Sequence, residues 1–243
     1  MASILKVNTI QDATNSNTAL SLDTSGNVTV NNTLKSNGGY ELIQSKMSTS
    51  HNQHAGGSAI EFQNVFSSDY ISYKVIIGWF LNSGNSGQNV SLRFMTGTNT
   101  QVSGSSYRYV VRRFGDTDTN GRYYGNAAAQ GVLWTTVGGE TNGANGGIHG
   151  EFEIFGGSLG PTTLGGVSTQ RYYANGNTDV YNPIVRGSMV GFSISGSEYE
   201  MQDSMIRLNS SQNPYHYTGF AILTSASGEA KGTHIAVYGL RSS

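Results

Sequence analysis

The chain has 243 residues, a formal net charge of −1 and no cysteine; 12% of its residues are charged, 10% are aromatic, and 33 are glycine. A charge so near zero excludes attraction to bulk nucleic acid or to an anionic membrane surface, and without cysteine there is no disulfide framework. The aromatic content argues against disorder, because tyrosine and phenylalanine need somewhere to pack, and the length suits one large domain with a small appendage.

In chain order, Met1–Val30 carries its apolar residues singly or in short runs. Ile4, Leu5, Val7, Ile10, Leu20, Leu22, Val28 and Val30 are separated by small polar side chains. Ser25-Gly26-Asn27 lies midway between two alternating stretches, which predicts a hairpin. A piece this short cannot bury enough surface to offset its own ordering entropy, so it reads as a docking arm clasped by a larger partner through those eight residues. The break at Asn37-Gly38-Gly39 suits a linker, placing arm and linker at 1–39 and the body at 40–243. The opening lacks the basic region and apolar core of an export signal, and no apolar run is long enough to cross a membrane, so the expectation is a protein made without classical export.

Within the body, Gln44–Gly57 is polar and without period and reads as loop. From Ser58 onward the two-residue period of strands appears. Ile60 and Phe62 alternate with Glu61 and Gln63, and Tyr70–Phe80 sets Ile71, Tyr73, Val75, Ile77 and Trp79 on one face. Val90, Leu92 and Phe94 then point inward, with Ser91 and Arg93 outside. Tyr107–Phe114 places Tyr107, Tyr109 and Val111 opposite Arg108 and Arg112. Gly131–Val137 is a further strand, and Ile148–Phe155 sends Phe152 and Ile154 one way and His149, Glu151 and Glu153 the other. Met189–Ser195 is expected to turn Val190, Phe192 and Ile194 inward, and Ser204–Leu208, Phe220–Thr224 and His234–Leu240 complete the set. Helical period is absent. About nine strands separated by Gly, Asn and Ser turns predict an all-β protein, an antiparallel jelly-roll-like β-sandwich. Gly115–Gln130, Gly138–Gly147, Gly156–Tyr173 and Asn175–Pro183 read as long polar loops.

The segment "ASILKVNTIQDATNSNTALSLDTSGNVTV" at Ala2–Val30 resembles the start of tail-fibre and other virion structural proteins of tailed bacteriophages. There an ILKV-(N/D)-TIQD opening precedes an SGNVTV hairpin and a separate β-domain. The likeness is looser at Ser58–Trp79 and at Ile235–Leu240, and Gly97–Pro183 carries none. The resemblance implies a virion protein, assembled in host cytoplasm, homotrimeric and attached through its arm to other virion proteins. Three-fold repetition would also multiply weak sugar contacts into avidity.

Few residues point to chemistry. Glu151 and Glu153 sit two apart on one strand, about 7 Å by strand geometry, the spacing of an inverting glycosidase pair, but any strand with two outward glutamates shows it. His51 and His54 make an incomplete metal site that only symmetry copies could finish, and no metal or cofactor is expected. No nucleophile elbow or phosphate-cradling loop occurs. Tyr107, Arg108, Tyr109, Arg112, Arg113, Arg122, Tyr123 and Tyr124 form the densest basic and aromatic group, and read as a subunit interface ahead of a site for an anionic glycan. Tyr172, Tyr173, Tyr181, Tyr215 and Tyr217 are expected on loops as a receptor face. The leading expectation is a non-enzymatic tail fibre adhering to a host-surface glycan. A capsid decoration or head fibre, and a glycan-hydrolysing spike, are the alternatives.

Overall fold

A computed structural model describes residues 9–11, 18–22, 28–30, 39–48, 59–67, 69–82, 88–97, 100–115, 121–137, 147–155, 171–172, 178–179, 183–192, 199–208, 217–224 and 230–241. The chain divides into two compact units, Met1–Asn37 and Gly38–Ser243. The first is a three-stranded antiparallel sheet in the order β1 (Thr9–Gln11), β2 (Thr18–Leu22), β3 (Val28–Val30). Leu20 pairs with Val30 and Leu22 with Val28, the register of the expected hairpin, while Ile10 pairs with Leu20 to add a third strand. Ile4, Leu5 and Val7 lie outside the described residues.

The second unit is all-β, with no helix among its described residues. Its strands are β4 (Tyr40–Ser48), β5 (Ala59–Phe62), β6 (Tyr70–Asn82), β7 (Gln88–Gly97), β8 (Thr100–Gln101), β9 (Tyr107–Gly115), β10 (Gly121–Ala128), β11 (Gly131–Val137), β12 (Gly147–Phe155), β13 (Arg171–Tyr172), β14 (Thr178–Asp179), β15 (Ile184–Phe192), β16 (Tyr199–Leu208), β17 (Gly219–Thr224) and β18 (Ala230–Arg241). They form an eight-stranded sheet, β10-β9-β16-β15-β12-β6-β18-β4, and a five-stranded one, β11-β7-β17-β5 with β8 on β7; β13 and β14 pair with each other. The large sheet holds β4, β18, β6 and β12 as neighbours and the small one holds β5, β17, β7 and β11, and the chain steps between sheets from β4 to β5, β6 and β7 in turn. That is jelly-roll strand order. Two inserted pairs, β9–β10 and β15–β16, widen the large sheet beyond β12.

Alternation builds the core. Ile60, Phe62, Val90, Leu92 and Phe94 from the small sheet meet Tyr73, Val75, Ile77, Phe152, Ile154, Ile235 and Val237 from the large one, all at most 2% exposed. Aromatic rings join the layers, Phe152 meeting Phe220 edge-on at 6.0 Å and Phe66 packing on Tyr73 at 4.7 Å, while Phe62 stacks on its cross-strand partner Phe220 at 5.0 Å within the small sheet. Each such ring contributes about 1.5–3 kcal/mol by burial, plus a smaller increment for ring geometry. Close approach of the layers requires glycine at Gly131, where a Cβ would strike the Ile206 side chain across the sandwich.

Several expectations need correction. Gln44–Ser48 is not loop but the end of β4, paired with β18. The expected insertion Gly115–Gln130 contains β10, an edge strand paired with β9. Ser91 is buried rather than outside, and its hydroxyl accepts from Gln130 Nε2 at 3.1 Å. On β6 the inward phase breaks. Ile77 pairs with Gly150 and Ile235, but Phe80 pairs with Ile148 and Trp79 with His234, so one extra residue bulges at Gly78–Trp79. A bulge swaps faces, so Phe80 follows Ile77 into the core. Ile71, beyond the last β6 residue paired with β12, is 59% exposed.

On β15 the expected phase is reversed: Val185 and Met189 are buried and Val190 is 49% exposed. The inward set includes Gly187 and Gly191, which carry no apolar side chain to reveal it. At Gly187 a Cβ would lie 2.6 Å from Phe152 Cβ, so the ring's room comes from that missing side chain. Ile194 lies outside the described residues.

Candidate binding face

The inner face of the large sheet is core, so its chemistry lies on the outer face, built by alternation on every strand. Cross-strand register assembles two neighbouring rows there. One runs Arg122, Arg112, Asp203, Ser188, Glu151, Ile76; the other runs Tyr124, Val110, Met205, Arg186, Glu153, Lys74. Between β9 and β12 the rows enclose an open depression of about 470 Å³, lined by Arg112, Arg186, Glu151, Glu153, Asp203, Ser188, Val110 and Met205 above a floor at Phe152, Gly187 and Ser204.

Its far wall is held in place. Lys74 Nζ lies 2.7 Å from Glu151 Oε2, and the Tyr40 hydroxyl donates to Glu153 Oε1 at 2.9 Å. The Glu151 hydrogen bond raises the Lys74 pKa above its ordinary value, and partial burial followed by the Glu153 contact raises that of Tyr40. The lysine ammonium also sits 5.8 Å from the centre of the Tyr40 ring. With Glu151 half in solvent, the ion pair contributes at most about 1 kcal/mol, and its effect is orientation. By contrast, Arg112, Asp203 and Arg186 enter no ion pair or side-chain hydrogen bond among the described residues, although Arg112 lies directly across from Asp203 and Arg186 across from Glu153.

The basic and aromatic group expected as one interface is divided by the sheet. Tyr107 is not available to a partner: it is 0% exposed, its hydroxyl accepting from the Phe94 amide at 2.8 Å and donating to the Val102 carbonyl at 3.1 Å. Burial pushes its pKa well above 10. Tyr109 is half-buried against Gly125, where a Cβ would strike its ring. Arg113 also turns inward. Its Nε donates to Glu200 at 3.0 Å, Nη2 pairs with the other carboxylate oxygen, and Nη1 donates to the Tyr123 hydroxyl at 3.1 Å. Glu200 raises the Arg113 pKa, burial opposing it. Gln202 completes this network, donating to Glu200 at 2.8 Å and to the Thr135 carbonyl at 3.0 Å and accepting from the Thr135 amide at 2.9 Å. Arg112, Arg122 and Tyr124, with half-buried Arg108, stay on the outer face, Tyr124 at 76% exposure.

Of the expected receptor tyrosines, Tyr217 is corrected: it is 1% exposed, its ring 5.2 Å from that of Phe94. An aromatic next to the buried strand β17 fills the core end, which burial favours over a loop position. Tyr172 falls in β13, and Tyr173, Tyr181 and Tyr215 lie outside the described residues, as do His51 and His54. No group of three or more His, Asp or Glu side chains among the described residues is arranged to hold a metal ion. Glu151 and Glu153 share the outer face, as alternation predicts. Asp203, Arg186, Ser188 and Met205 were missed; Arg186 and Ser188 lie on the strand whose phase the sequence misleads on, and only long-range pairing brings all four beside Arg112.

Comparison with protein-family models, with curated proteins and with solved structures finds no match to this chain.

Proposed function

We propose that this chain is a non-enzymatic structural protein of a tailed-bacteriophage virion, a tail fibre held through its N-terminal unit and presenting the β-sandwich to a glycan on the host surface. The observation that carries the reading is the division of the chain. The residues resembling virion docking arms, Ala2–Val30, fall within a small unit of three short strands, apart from a sandwich with its own core. A body of this kind leaves its outer sheet face for contact, and that face mixes hydrogen-bonding charges with exposed Met201, Met205, Val190 and Tyr124, as adhesive surfaces do. Homotrimer formation belongs to the same reading, since repeated weak contacts gain strength through avidity.

The test is immunogold labelling of intact virions with an antibody raised against the full chain, combined with sedimentation of the purified protein. Tail-end label and a trimeric mass are expected. Label on the capsid surface would move the protein to the head-fibre class, and absence from virions would end the proposal.

A further inference from the structure

We propose that the depression between Arg112 and Arg186 binds a carboxylated sugar within a polysaccharide, a uronic-acid residue flanked by neutral rings. The inference rests on the adhesive reading above and adds the class of ligand. The two guanidinium groups stand on β9 and β15, two strands apart and offset by two residues, about 12 Å between backbones by sheet geometry. In the same unit Arg113, Arg241 and Lys74 all reach carboxylates. Arg112 and Arg186 reach none despite acidic cross-strand neighbours, so their forked donors are open to a ligand carboxylate, which they match two bonds at a time. Asp203 between them, equally unengaged, accepts vicinal hydroxyls.

The lining also says which anion it refuses. Two arginines face three carboxylates, Glu151, Glu153 and Asp203, and Lys74 pairs with Glu151, so the charges balance. A phosphate-rich polymer would set several charges against Glu153 and Asp203, and a neutral sugar would leave both guanidinium forks unfilled. A ligand with one carboxylate among many hydroxyls satisfies both signs. Met205 at 49% exposure and Tyr124 beyond it supply an apolar strip for the C–H face of a sugar ring. The volume, about 470 Å³, is that of a small-ligand site, and its open top lets a chain pass through.

The experiment is calorimetry of the full chain with an aldotriouronic acid, a single glucuronate on neutral xylose rings, its methyl ester and a neutral xylose oligomer. Binding of the acid alone is expected. Arg112→Gln and Arg186→Gln should each weaken it by about tenfold or more. Asp203→Asn should also weaken it, although removing a negative charge would strengthen any unspecific attraction to an anion. Arg207→Gln, on the same face outside the depression, should change it less than about twofold. Tighter binding by Asp203→Asn, equal losses at Arg207, or no binding by a protein with an unaltered melting curve would each overturn the site. Host-cell adhesion that survives in the Arg112→Gln/Arg186→Gln double variant would overturn the site and leave the adhesive reading standing. Uronate binding by a chain that does not adhere to host cells would support the site and remove that reading.

Discussion

Arg113 and Glu200 show what one residue pair does for the sandwich. The Glu200 side chain is 1% exposed and that of Arg113 16%, and Gln202 ties them to Thr135 on the opposite sheet. Removing one partner of a buried pair strands the other charge, so Arg113→Met should cost about 3–5 kcal/mol, read as a large fall in melting temperature. Arg113→Met with Glu200→Leu should recover much of that loss, because no charge then stays buried alone. A double variant no better than the single one would contradict this account. Tyr73 supplies a pH dependence. Burial pushes its hydroxyl up to about 12 from 10.0, while hydrogen bonds from Ser67, among them the backbone amide donating at 2.6 Å, oppose the rise. The folded state holds the proton more tightly, so the contribution is complete below pH 10 and is lost as pH climbs from 10 toward 12. Denaturant melts across that window should lose about 2–3 kcal/mol through this residue. Tyr73→Phe should flatten the slope, at a neutral-pH cost of about 1 kcal/mol for the hydrogen bonds.

At the scale of elements, β15 and β6 show where local pattern misleads. On β15 Val190 faces outward while Val185 and Met189 face inward, and the inward positions at Gly187 and Gly191 are kept empty for Phe152 and Ile148. Met189→Ala should therefore cost about 2–5 kcal/mol, whereas Val190→Ala should stay within about 0.5 kcal/mol. Chemical denaturation of the two variants checks this, and the reverse order would mean that the strand is inverted. On β6, alternation from Tyr73 to Ile77 reads correctly and fails one residue later, at a bulge set by both neighbouring strands. The edge strand β10 reads as loop because Gly121, Gly125 and Asn126 are turn formers. Pairing with β9 overrides that preference, while Ala127, at a φ of 59°, and the shifted register beside it disturb the exposed edge. Such irregularity discourages strand addition by other chains.

For the whole molecule, the two units make separable demands. Among the residues whose burial is described, the main hydrophobic core runs from Ile60 to Val237, within the second unit. The fragment Gly38–Ser243 should accordingly unfold cooperatively within a few degrees of the full chain, measured by calorimetry. A fragment that melts broadly or far lower would show that the first unit is needed for the sandwich to hold. If the docking proposal is right, the same fragment should fail to join virions while keeping any affinity for uronate.

Sequence alone was enough for the all-β class, the antiparallel sandwich, the inward faces at Ile60–Phe62, Val90–Phe94 and Phe152–Ile154, and the pairing of the two stretches on either side of Ser25-Gly26-Asn27. These depend on the two-residue period of the extended backbone and on turn chemistry, both of which are local. Tertiary structure decided the order of the strands, the empty inward positions of β15, the burial of Tyr107 and Tyr217, and the meeting of Arg112, Asp203 and Arg186 around one depression. Those outcomes depend on which distant strands become neighbours. Pairing and packing energies summed over the whole sandwich choose those neighbours, and no window of sequence contains them.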